Sequence, residues 1–156
     1  MMGQGKPAAS HDAVMFAVMV AIGMGFNPMN MLAWRVDHLW MSQTLLYSGL
    51  IMASNMVWGH EVVALVAHRR LNTRKFLYGV ALSALFVWVA RTQIGVDERQ
   101  WMRRMIPHHS TALTTSRRLL QRQGVSDEVR TLAESIVRVQ EEEISLMQRL
   151  LRKTET

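Results

Sequence analysis

A chain of 156 residues with 49% hydrophobic and 19% charged side chains, 13 methionines and a formal net charge of +6 fits one ordinary domain, or a few membrane spans with an appendage. The absence of cysteine excludes disulfides, cysteine-ligated zinc, iron–sulfur clusters and a thiol nucleophile. Charge is unevenly spread, with 10 charged side chains in residues 1–96 and 20 in residues 97–156, so the chain is not one globular domain. The organisation expected is an N-terminal tail (1–12), a three-span membrane domain (13–96) and an extracytoplasmic helical hairpin domain (97–156), all-α throughout.

Ala13–Trp34 is a run of 22 residues without charge and His38–His60 a run of 23. Each is long enough to cross a hydrocarbon core of about 30 Å at about 1.5 Å per residue. Phe76–Ala90 is shorter, but beyond Arg91 the charge-free stretch resumes to Val96, and an arginine near a span end can snorkel to the headgroups. The first run is too long for a secretory signal and lacks a small-residue cleavage site. Trp34, Trp40 and Trp88 fall near span ends on one membrane face, as an interfacial aromatic belt requires. Small residues at four-residue spacing (Ala17, Ala21 and Gly25; Gly49 and Ala53; Gly79 and Ser83) predict close helix packing or a helix-mediated oligomer.

The loop HRRLNTRK between the second and third spans carries Arg69, Arg70, Arg74 and Lys75 and no acid, which places it and the amino terminus in the cytoplasm. Residues 97–156 then lie outside. Arg91, Arg99, Arg103 and Arg104 follow the third span and oppose this bias. His60 and Glu61 fall late in the second span, where snorkelling towards water or Arg69 is expected rather than a proton relay.

Asp97 and Gln100 have the spacing of a capping box, and Trp101, Met102, Met105, Ile106, Ala112, Leu113, Leu119 and Leu120 repeat with a helical period. Gly124 ends that helix, Ser126 caps a second, and Val129, Leu132, Ala133, Ile136, Val137, Ile144, Met147, Leu150 and Leu151 continue the pattern. Two amphipathic helices of this size cannot cover both apolar stripes with each other. Pairing with a second copy into a four-helix bundle, or docking on the spans, is expected.

Polar residues interrupt both stripes. His109 lies between Met102, Met105 and Leu113, with His108 at the stripe's edge, while Gln140 and Glu143 lie between Val137 and Met147. Folding about Gly124 and Val125 sets residue 109 opposite 140, 105 opposite 144 and 102 opposite 147, so the interruptions meet at one level. Two imidazoles, thioethers, an amide and a carboxylate at one level suit a transition metal, and the thioethers favour copper, with zinc the alternative. Pro107 would bend the helix at the histidines. The competing reading is a hydrogen-bonded core histidine among gap-filling methionines.

The stretch WMRRMIPHHSTAL, followed by LAESIVRVQEEEISLMQRLL, resembles the bacterial domain of unknown function 305 family, in its membrane-anchored branch. The matching positions are Met105, Ile106, Pro107, His108, His109, Gln140, Glu143, Ile144 and Met147. The resemblance implies an all-helical, ferritin-like bundle facing the periplasm, with some relatives tied to copper binding and tolerance. This chain departs from the family at Thr111 and Thr115, where soluble relatives often have methionine, and it carries the double histidine once rather than twice. The single copy points to a homodimer.

Asp37, His38 and Met41 in the loop between the first two spans offer a second metal contact, or else interfacial polar residues in which Asp37 offsets Arg35 or Arg91. Met24, Met29 and Met31 around Asn27, Pro28 and Asn30 offer a soft-metal path through a broken helix, or ordinary packing. Nucleic acid is not an expected partner, because residues 97–156 are only +2 net and are placed outside the cytoplasm. No nucleophile, phosphate loop or triad is present, so the chain is not expected to be an enzyme unless through metal redox chemistry. The function expected is copper sequestration or homeostasis at the bacterial inner membrane, facing the periplasm. The metal residues are His108, His109, Met102, Met105, Glu143, Met147 and Gln140. The alternative is a membrane-tethered helical module that dimerises or docks a partner without metal.

Overall fold

The computed structural model describes residues 8–154, so residues 1–7 of the expected 1–12 tail lie outside it. The described residues are helical, with no strand. Three helices are long and apolar enough to cross a membrane: α1 (Ala8–Gly25) with its continuation, α3 (Gln43–His68) and α4 (Thr73–Thr92). The first run does not stay helical to Trp34. Asn27 takes an extended backbone and its side chain accepts the Met29 N–H at 3.0 Å, which starts the one-turn helix α2 (Pro28–Met31). Pro28 at the first helical position forfeits no bond there, but it cannot continue α1. A 3-10 turn, Val36–His38, follows.

The second span starts later and ends later than its charge-free run, because α3 continues eight residues past His60 to His68. Asn72 caps α4 by accepting the Lys75 N–H at 3.2 Å, and Gln93, with φ 52°, turns the chain out of it. Asp97 caps α5 (Glu98–Leu120), accepting the Gln100 N–H at 2.7 Å. The reciprocal half of the capping box goes elsewhere: the Gln100 side chain accepts the Gln43 N–H at 2.8 Å. Ser126 caps α6 (Asp127–Lys153) across a turn in which Gly124 has φ +76°. That left-handed conformation favours glycine.

The chain forms two compact units. The first comprises residues up to Gly25 with Leu45–Ile94. Its helices approach through glycine: a Cβ on Gly49 would lie 2.9 Å from the Val20 carbonyl oxygen, and one on Gly79 would lie 2.8 Å from Trp58 N. On α1 the close approach is made by Gly23, whose added Cβ would sit 3.1 Å from Gly49 Cα. Gly25, at the end of the expected row, faces open space. Glu61 does not reach out to water or Arg69. It is buried, and its Oε2 accepts the Asn72 N–H at 3.0 Å, so it satisfies a donor at the start of α4.

The second unit comprises Phe26–Thr44 with Gly95–Thr156. Here α5 and α6 pack together around Met102, Ile106, Leu113, Ile144, Met147 and Leu151, with Trp40, Met105 and Val137 against them. Ile106 (0% exposed), Leu113 and Leu151 (1% each) are fully enclosed, each contributing about 1.5–3 kcal/mol by removal from water. The segment between the first two spans is therefore part of this core. Arg103 lies 5.5 Å over the ring of Trp40, which packs half-buried against the core, and Arg117 lies 4.8 Å over Trp34, which stays exposed. Trp88 alone of the three is free of such a contact and is exposed.

Candidate metal centre

His109 and Glu143 meet across the α5–α6 contact, with Nδ1 3.0 Å from Oε2. The pairing is one turn beyond the expected one: the residue met by His109 is Glu143, while Gln140 is half-buried. The approach is an ion-pair distance, yet the oxygen lies out of line for an N–H···O bond, and the buried Nδ1 has no hydrogen-bond partner. His108 is exposed, its ring centroid 5.8 Å from that of His109 and tilted by 59°.

Burial pushes the His109 pKa down, Glu143 pulls it back up and His108 pushes it down again, with a net fall from the ordinary value near 6.5. The ring is neutral at pH 7, with one nitrogen lone pair free to bind an electrophile. Glu143, half-exposed, brings a carboxylate beside it. Among the described residues no three histidine, aspartate or glutamate side chains converge on one point, so a metal here must draw further ligands from sulfur, amide, water or another copy.

The methionines are placed differently. Met102 and Met147 are each 6% exposed within the apolar core, and Met105 packs against it. The structure pairs His109 with Glu143, leaves His108 exposed beside them, and gathers Met102, Met105 and Met147 in the hydrophobic cluster of the same unit.

His38, expected as a second metal contact, is buried and bonded instead to a serine. Its Nδ1 lies 2.8 Å from Ser110 Oγ, which also accepts the Trp34 N–H at 2.7 Å. Ser110, one residue past the histidine pair, is wholly buried by this docking. Thr111 donates its hydroxyl to the Met29 carbonyl at 3.1 Å, so the position where relatives often carry methionine here holds the inter-span segment. Gln148 on α6 donates to the Asp37 carbonyl at 3.3 Å. Asp37 pairs with Arg35 at 2.8 Å. Arg117 bonds Glu141 while covering Trp34, which ties α5, α6 and the segment together.

These two histidines set a pH dependence. The His38 pKa is lowered by burial, against a smaller upward pull from Asp37, and His109 is lowered likewise. The unfolded chain therefore takes up protons first as pH falls below about 6.5, so stability is complete above that value and declines below it. Thermal unfolding of the metal-free protein followed by tryptophan fluorescence should give a lower midpoint at about pH 5.5 than at about pH 7.5. The difference should shrink in His38→Asn, and an equal midpoint at both pH values would contradict the burial of these rings.

Uncharacterized protein L153 of Acanthamoeba polyphaga mimivirus is similar to this chain, 24% identical over 143 residues that cover 91% of this chain and 93% of that protein. No solved structure matches. Residues 89–151, from the end of α4 to the last turns of α6 and including every residue of the candidate centre, match the family model described as Domain of unknown function (DUF305), which supports the family resemblance over that stretch.

Proposed function

We propose that the chain is a membrane-anchored metal-binding protein that sequesters or hands on copper at the outer face of a bacterial inner membrane. The observation that carries this reading is the buried Nδ1 of His109, which is without a hydrogen bond and lies 3.0 Å from a carboxylate. A largely neutral imidazole and a carboxylate held side by side are two electron-rich donors that a metal cation would bridge. In this reading His109 and His108 are the nitrogen ligands, Glu143 is a ligand or orients His109, Gln140 and the thioethers of Met105 and Met147, one turn from His109 and Glu143, complete a soft set, and Met102, two turns from His109, joins it only by rearrangement of the core. Copper, when bound, would supply redox capacity; the protein's part is to hold it at the seam of α5 and α6.

The α5–α6 pair is read as half of a four-helix, ferritin-like bundle. Val129, Leu132, Leu146 and Leu150 are exposed on α6, an apolar face available to a second copy. A homodimer would also offer the missing ligands from its partner. The basic loop at Arg69–Lys75 is read as cytoplasmic, which sets the second unit in the periplasm.

One observation favours the alternative, a helical interaction module without metal: Met102 and Met147 are enclosed in apolar core. The test is a titration of the full chain in nanodiscs with Cu(I), Cu(II) and Zn(II) against competing chelators, wild type beside the His108→Ala, His109→Ala double variant. Copper affinity tighter than about micromolar, falling by about a hundredfold in the variant, is the expected result. Weaker binding, or no loss in the variant, overturns the metal reading and leaves the interaction module.

A further inference from the structure

Within the first unit, α1, α3 and α4 line an open cavity of about 750 Å³, in the size range of small-ligand sites. Its lining changes character along the helices. At one end are His11, Asp12, His60, Glu61 and Lys75; at the other are Met19, Ala53, Leu82 and Phe86. The distance from the charged end to the apolar end is eight residues on α1, eight on α3 and eleven on α4, about 12–16 Å at about 1.5 Å per residue. Half of a hydrocarbon core of about 30 Å is about 15 Å. The cavity is as deep as one leaflet.

The charged end has both signs. Lys75 Nζ lies 2.7 Å from Asp12 Oδ2, and Glu61 Oε1 lies 3.9 Å from His60 Nδ1. One ammonium and two imidazoles suit a phosphate, while two carboxylates suit a cation that donates N–H bonds. A primary ammonium donates such bonds and a trimethylammonium does not. An acyl chain fits the apolar end.

We propose that this cavity binds one phospholipid of the adjoining leaflet, with a zwitterionic ethanolamine headgroup at Asp12, Glu61, His60 and Lys75 and one acyl chain against Leu82 and Phe86. The lipid is a structural ligand of the spanning unit, separate from the metal chemistry of the other unit.

The full chain is reconstituted in nanodiscs of equal phosphatidylethanolamine, phosphatidylcholine and phosphatidylglycerol, extracted gently, and read by native mass spectrometry for retained lipid. One phosphatidylethanolamine per chain, enriched about tenfold or more over the other two, is expected. Leu82→Trp, which fills the apolar end, should abolish retention with helix content unchanged by circular dichroism. The paired rim variant Asp12→Asn, Lys75→Gln should erase the headgroup preference, and it decides the matter if Leu82→Trp does not fold. Equal retention of all three lipids, a preference for phosphatidylglycerol, or wild-type retention in both variants would overturn the proposal.

Discussion

Leu113→Ala is expected to destabilise the second unit by about 2–5 kcal/mol, among the largest single-residue effects in the protein. Leu113 is 1% exposed and sits in the cluster shared by both long helices, so truncation removes its burial and leaves a hole in the α5–α6 core. The surroundings are helix backbones that cannot collapse far, and the cavity adds to the lost transfer energy. Leu132→Ala is the control: Leu132 is 60% exposed, and its truncation should change monomer stability by no more than about 0.5 kcal/mol. Denaturant unfolding followed by the fluorescence of Trp34 and Trp40 reads both variants. Similar midpoints for the two would refute the assignment of Leu113 to the core.

Gly79→Val is expected to have the second large effect, in the spanning unit. A Cβ at this position would meet Trp58 N at 2.8 Å and Trp58 Cβ at 3.0 Å, contacts with the partner helix that no rotamer change at residue 79 can relieve. The two helices must separate, at an overpacking cost of about 1–3 kcal/mol, and lose the close backbone approach that Gly79 allows. Gly59→Ala makes the comparison on the neighbouring helix. Nothing lies within 4 Å of its added Cβ, and alanine is the better helix former, so its thermal midpoint in nanodiscs should stay level or rise. A Gly79 variant as stable as Gly59→Ala would show that the helices are not in close contact there.

What was legible in the sequence was what local physics decides. The caps at Asp97 and Ser126, the stop at Gly124 and the existence of three apolar helices each depend on residues within a few positions of one another. The break at Asn27 and Pro28 was visible as a motif, although the charge-free run continued across it. What escaped was pairing over long sequence distance. Nothing near His38 announces Ser110, 72 residues away, because a serine on a helix reads as a neutral position until a partner covers it. The contacts of Trp34 with Arg117 and of Trp40 with Arg103 were equally hidden, since an aromatic beside a span has the same composition whether it meets headgroups or another helix. Glu61 falls at the edge of the charge-free run His38–His60, whereas α3 runs on to His68, so the helix continues past it and the start of α4 covers it. At the candidate centre the approximate level of the polar residues was readable from the turn, but its register was not. A shift of one helical turn exchanged Gln140 for Glu143 as the neighbour of His109.

The docking of residues 26–44 on α5 has a consequence for how the protein is made. Trp34 and Ser110 are 76 positions apart, with two long apolar helices between them, so the segment leaves the ribosome well before its partner exists. While α3 and α4 are made, His38 and Trp40 must wait without the partners that will cover them, and the Trp34 N–H without the Ser110 hydroxyl it will meet. Completion of this unit is a late event in biogenesis, because it awaits α5 and α6. A chain arrested before α5 would keep its spans and still present an uncovered aromatic loop, the kind of surface by which quality control recognises unfinished protein.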